Sequence, residues 1–137
     1  MKRLLLAGAV ATAIMTMMMY KVAPIMLGKP MDIAAKLGAF VGGDWNLGMM
    51  IHLLNGLIIF PLLYGFLVYK FLPGPSGVRG AVFGVLLWLG AMLVVMPLMG
   101  DGFFMLNSGT MKPAMASFMG HLLYGVALGA ISGKLSE

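Results

Sequence analysis

Apolar residues fill four long runs of this chain, and short polar segments separate the runs. A helix needs about 20 apolar residues to cross a bilayer, and the runs predict membrane spans at about 4–27, 47–69, 78–99 and 113–132. The segment KFLPGPSG (70–77), rich in Pro and Gly, ends the second span before the third begins. The pattern therefore predicts an all-α integral membrane protein with a single transmembrane domain over residues 1–137.

The first long loop carries a weaker helical pattern, PMDIAAKLGAFVGG (Pro30–Gly43). Its apolar residues recur at helical spacing, and Pro30 suits the first turn of a helix. This pattern predicts a short helix that lies in the membrane interface or caps the spans; an ordered loop is the alternative. Asp44 or Asn46 is then the predicted cap of the second span.

Composition excludes several function classes. The chain is 61% hydrophobic and 9% charged, whereas a soluble domain carries about 25% charged residues. It has no cysteine, which excludes disulfides and thiolate metal sites. No Asp or Glu falls inside a predicted span, and no catalytic triad, phosphate loop or HExxH motif is present. We therefore predict no enzyme, and the dispersed basic residues predict no nucleic-acid partner.

The basic residues set the predicted orientation. One side of the membrane would hold Lys2, Arg3, Lys70, Arg79 and Lys134, and the other side Lys21, Lys29, Lys36 and Lys112. Cytoplasmic loops are enriched in such residues, so this small excess predicts that both termini are cytoplasmic. The basic, apolar start is also typical of a signal peptide, but the apolar run continues past the candidate cleavage site, and we expect the first span to be retained.

The chain reads as two tandem halves. GAVATAIMTMMMYKVAPIMLG (Gly8–Gly28) resembles GAVFGVLLWLGAMLVVMPLMG (Gly80–Gly100), and the second span of each half carries the phrase HLL-x-G. The two phrases contain His52 and His121, which are the only histidines. The repeat predicts a four-helix bundle of two parallel two-helix halves. The histidines would then lie at similar depth, and we hypothesise that they face each other.

Close helix packing is the simplest interpretation of the two histidine phrases. Small residues spaced by four positions share a helix face and let membrane helices approach closely. The predicted packing residues are Gly48, Gly56, Ser117, Gly125 and Gly129. Pro61, in the middle of the second span, is predicted to kink it.

A b-type haem is the chemical interpretation. His52 and His121 would be the axial ligands of its iron. Gly56 and Gly125 would leave room for the macrocycle, and Asn55 and Tyr124 would be its polar neighbours. Copper is a further interpretation, because the chain has 16 methionines and thioethers bind Cu(I). The methionines two positions before each histidine, Met50 and Met119, point away from the histidine face.

Four phrases carry a resemblance: GAVATAIMTM, PMDIAAKLG, MPLMG and HLLYG. Through them the chain resembles a family of small bacterial four-helix inner-membrane proteins of unknown function. The resemblance covers nearly the whole chain and implies four helices, a bacterial origin and the inner membrane. It implies no activity and no site residues.

The leading functional prediction is a non-enzymatic subunit or accessory protein of a larger membrane assembly, such as a respiratory electron-transfer complex. Its partners would be the lipid bilayer and other membrane subunits, or further copies of the chain. One alternative is an autonomous membrane protein that binds haem b through His52 and His121. A second alternative is a small homo-oligomeric transporter or channel.

Overall fold

The computed structural model describes residues 1–135, and these are mostly helical with no strand among them. Four helices in this part of the chain are long and apolar enough to span a membrane: α1 (Lys2–Leu27), α3 (Trp45–Phe71), α4 (Ser76–Leu98) and α5 (Lys112–Ser132). A short helix, α2 (Ile33–Phe40), follows α1, and a 3₁₀ segment (Phe103–Ser108) follows α4. The all-helical prediction is confirmed, and the helix ends lie within two residues of the predicted ones.

The ends of the long helices form two sides of the molecule, the loop side and the terminal side. The loop side carries α2 and the 3₁₀ segment, and the terminal side carries the start of α1, the α3–α4 turn and the end of α5. The short helix predicted in the first loop is present as α2, and its first turn is capped by Asp32, whose carboxylate accepts the Ala35 N–H at 3.1 Å. Asp44 caps α3 in the same way, accepting the Leu47 N–H at 3.0 Å.

Proline residues widen three of the long helices. Pro24, Pro61 and Pro97 each follow closely after a five-residue π-helical segment: Met18–Val22, Asn55–Ile59 and Ala91–Val95, respectively. Proline lacks the N–H for its helical bond, and its ring crowds the carbonyl four residues earlier. A wider turn relieves that crowding without ending the helix. At Pro61 the structure shows a π-helical widening of α3 over Asn55–Ile59, and the predicted kink stays a prediction.

Glycines hold α4 against α5. Gly80 and Gly84 of α4 face Gly125 and Gly129 of α5, and a Cβ atom on any of the four would overlap a backbone oxygen of the opposite helix. The two backbones are therefore in direct contact, as small residues permit in membrane helices. Sequence reasoning predicted Gly125 and Gly129 as packing residues but did not identify their partners on α4.

Helix α1 lies against both α5 and α3. Its contact with α3 depends on small residues: Gly8 lies against Pro61, and Gly56 lies against Thr12. The predicted packing residue Gly48 contacts α2 instead, at the backbone of Ala34.

Aromatic and aliphatic side chains fill the terminal-side half of the molecule. Tyr64, Phe83, Tyr124 and Leu128 are almost fully buried there, and the rings of Tyr64 and Phe83 lie 5.2 Å apart between α3 and α4. A second cluster, around Met92, Met96 and Met105, lies in the loop-side half beside a cavity between the helices.

Candidate functional site

The loop-side cavity is the candidate site. It has a volume of about 1090 Å³, and all four long helices and α2 contribute to its wall. This volume is at the upper end for small-molecule sites. Most of the wall is apolar, and the polar side chains within the spans that line it are Thr12, His52, Asn55, Ser117, His121 and Tyr124. Two histidines from separate helices thus reach one enclosed space.

His121 has a defined hydrogen-bond arrangement. Its Nδ1 atom lies 2.8 Å from the Ser117 carbonyl oxygen and 3.3 Å from the Ser117 hydroxyl. A carbonyl oxygen can only accept, so Nδ1 carries the proton and donates it. In the neutral ring, Nε2 is then the nitrogen with the lone pair.

His52 is fixed by helix α1. Its Nε2 atom lies 2.9 Å from the Thr16 hydroxyl oxygen, and the Thr16 hydroxyl itself donates to the Thr12 carbonyl at 2.8 Å. Because the only hydroxyl proton of Thr16 is used there, Nε2 of His52 is the donor in the contact with Thr16. The lone pair of the neutral His52 ring is therefore on Nδ1.

The two lone-pair nitrogens remain open to ligands. Neither Nδ1 of His52 nor Nε2 of His121 has a hydrogen-bond partner among the described residues. No fully buried side-chain nitrogen or oxygen in that part of the chain lacks a partner, so both atoms are accessible. Both rings line the cavity, and each has one nitrogen without a hydrogen-bond partner among the described residues.

Five of the six predicted haem-site residues line the cavity, and the sixth, Gly125, does not. Asn55, Gly56 and Tyr124 line the same cavity as the histidines. The Tyr124 hydroxyl donates to the Gly56 carbonyl at 2.8 Å, which ties α5 to α3 at the floor of the cavity. Gly125 instead faces Gly80 of α4. It serves the helix contact and gives no room to a cavity ligand.

Two threonines of α1 were missed by sequence reasoning. Thr12 lines the cavity, and Thr16 holds His52. Their signal was present in the sequence, because hydroxyl residues four positions apart lie on one helix face. The phrase HLL-x-G drew attention to the histidine-bearing helices, and nothing in the sequence said which neighbour α1 would face.

Charged residues surround the loop-side mouth of the cavity: Lys29, Asp32, Lys36 and Asp101. Lys36 and Asp101 form a salt bridge at 2.8 Å that joins α2 to the segment after α4. Asp32 accepts hydrogen bonds from the Tyr20 hydroxyl at 2.6 Å and from the Trp45 indole at 3.1 Å. Burial alone would raise the pKa of the Asp32 carboxyl, but these bonds and the Ala35 N–H outweigh burial and hold its pKa below the ordinary value.

Two histidine imidazoles line the cavity, and imidazole is a common protein ligand of haem iron. Within residues 1–135, no three His, Asp or Glu side chains come together as a metal site. Two imidazoles match the axial positions of a haem, because the porphyrin supplies the equatorial ligands itself. A ring N–H bonded to a carbonyl, as in His121, is also the usual support of a metal-binding histidine.

Comparison with known proteins identifies a family without an assigned role. None of the curated proteins and none of the solved structures matches the chain. One family model matches residues 3–137, which is nearly the whole chain. By that match, the chain belongs to DUF6789, a family of unknown function.

Proposed function

We propose that this chain is a non-enzymatic membrane subunit that binds a b-type haem in the loop-side cavity and takes part in electron transfer within a larger assembly. The observation that carries the proposal is that two histidine rings line one cavity, each with a lone-pair nitrogen, Nδ1 of His52 and Nε2 of His121, that has no hydrogen-bond partner among the described residues. We further propose that the assembly lies in a bacterial inner membrane, with both termini of the chain in the cytoplasm.

The residues around the cavity have separate roles in this proposal. His121 would bind the iron through Nε2, and its bond to Ser117 would hold the ring in place. His52 would supply the second axial nitrogen, with Thr16 fixing its tautomer. The haem, when bound, supplies one-electron redox chemistry.

The polar mouth suits the charged edge of a haem. The apolar faces of the haem would contact the methionine and leucine side chains that line the cavity wall. Its carboxylates would reach the loop side, where Lys29 is exposed at the cavity mouth. Charge-assisted hydrogen bonds of this kind are among the stronger ones in proteins.

The test is a visible spectrum of the protein purified gently from haem-sufficient cells, both oxidised and reduced with dithionite. We expect a Soret band and reduced α and β bands. The variant His121→Ala should lose most of its haem, and added free imidazole should restore part of the binding. The control Met15→Leu changes another cavity-lining residue and should leave the spectrum unchanged.

Two results would contradict the proposal. A folded wild-type protein without these bands would exclude the haem, and bands unchanged in the double variant His52→Ala/His121→Ala would place the haem elsewhere. The subunit role is tested by mass spectrometry of the native assembly. A redox protein should be present in stoichiometric amount, and a chain that purifies only alone or with its own copies argues against that role.

A further inference from the structure

Five methionines pack together on the loop side of the molecule. Met92, Met96 and Met105 are buried together, and Met31 and Met99 pack against them. We call these five residues the methionine cluster. They come from three segments of the chain: the loop before α2, the end of α4 with the residue that follows it, and the 3₁₀ segment.

The geometry of α4 aligns two of the sulfur-bearing side chains. Met92 and Met96 are four residues apart, so they share one face of the helix. Both line the loop-side cavity, as do Met31 and Met105. The three buried members of the cluster, Met92, Met96 and Met105, thus adjoin a space with charged residues at its mouth.

Met105 reaches the cluster through an uncommon backbone. Phe104 has φ 52° and Met105 has φ 55°, and they are the only non-glycine residues with positive φ among those described. Residues with a side chain adopt this left-handed conformation at a cost. Such strain is concentrated at functional positions, and here it accompanies the packing of the Met105 thioether with Met92 and Met96.

We propose that the methionine cluster binds Cu(I), with Met92, Met96 and Met105 as the core ligands. Thioether sulfur is a soft ligand and favours Cu(I) over the harder divalent ions. Methionine also fills irregular gaps in apolar cores, but that role requires no strained backbone of the kind found at Met105. The proposed copper ligands are distinct from the histidine nitrogens of the haem proposal, but Met92, Met96 and Met105 line the same cavity.

Anaerobic titration of the detergent-solubilised protein with Cu(I), against a chromophoric Cu(I) chelator, tests the proposal. We expect stoichiometric binding by the wild type. The variant Met92→Leu/Met96→Leu/Met105→Leu should bind at least about a hundredfold more weakly, since even the outer supports of a metal site change affinity by about 10–100-fold. Leucine conserves volume, so the fold should be retained.

The matched control replaces three methionines that face outward, Met17, Met50 and Met119, by leucine and should bind as the wild type does. The double variant His52→Ala/His121→Ala should also keep its Cu(I). X-ray absorption spectroscopy of the copper-loaded wild type identifies the atoms bound to copper without any variant. We expect sulfur atoms. Nitrogen neighbours, no binding, or equal loss in the control variant would each overturn the site.

Discussion

At the residue scale, two nearly identical phrases produce two different hydrogen-bond arrangements. His121 finds its partner one turn back, at the carbonyl of Ser117, whereas His52 bonds across to Thr16 on another helix. Ser117 lies four residues before His121, whereas the residue four before His52 is Gly48. The tautomers follow from these partners, so the two rings offer different nitrogens to the cavity.

Asp32 is the residue that anchors α2 over the cavity. We expect Asp32→Ala to weaken the first turn of α2 by about 1 kcal/mol, the usual cost of losing an N-cap, and to release Tyr20 and Trp45. Hydrogen exchange measured by mass spectrometry should show faster exchange over Ile33–Phe40 and no change in the middle of α5. Unchanged protection of α2 would show that the cap is dispensable.

The lowered pKa of Asp32 makes a prediction about pH. The stabilisation of α2 by the Asp32 carboxylate is fully present above the ordinary aspartate pKa. It is lost only as pH falls through the lower pKa of the folded state. After correction for intrinsic exchange rates, protection of α2 should be constant from pH 7 to about 5 and fall only below about 4. A loss of protection that begins near pH 6 would implicate another group.

At the element scale, the glycine contact brings the backbones of α4 and α5 together, with glycines on both helices. Gly84→Ala should place a Cβ against the His121 carbonyl and lower the free energy of unfolding by about 1–3 kcal/mol, as overpacking does. Unfolding in mixed detergent micelles measures the change.

The control for that variant lies on the same helix. A Cβ at Gly90 would meet nothing within 4 Å, so Gly90→Ala should be neutral or stabilise the helix by up to about 1 kcal/mol. If Gly84→Ala and Gly90→Ala are equally stable, the α4–α5 contact is looser than the backbone overlap implies.

At the scale of the whole molecule, the distribution of basic residues predicts which side faces the cytoplasm. The chain has no cysteine, so Ser108→Cys on the loop side and Lys70→Cys on the terminal side report unambiguously. A membrane-impermeant maleimide should label Ser108→Cys in intact cells, and Lys70→Cys only after permeabilisation. The reverse pattern would invert the proposed topology.

The helices could be predicted from the sequence because each depends on local features. Apolar runs of bilayer length are helical wherever they pack, since backbone groups in lipid must bond within their own segment. Asp44 as a cap was likewise predictable, because a cap acts within one turn. The predicted tandem repeat is a comparison between distant segments, and it stays a prediction.

The sequence by itself therefore determined the four helices of membrane-spanning length and the two histidines worth attention, and it left the short helix α2 open against an ordered loop. Only the tertiary structure decided that His52 meets Thr16, that Gly125 faces Gly80 rather than the cavity, and that Met105 joins Met92 and Met96. The physical reason is that apolar helices in a membrane carry little directional information about their neighbours. Close packing of small residues and a few hydrogen bonds select the partners, and these act between residues far apart in the chain.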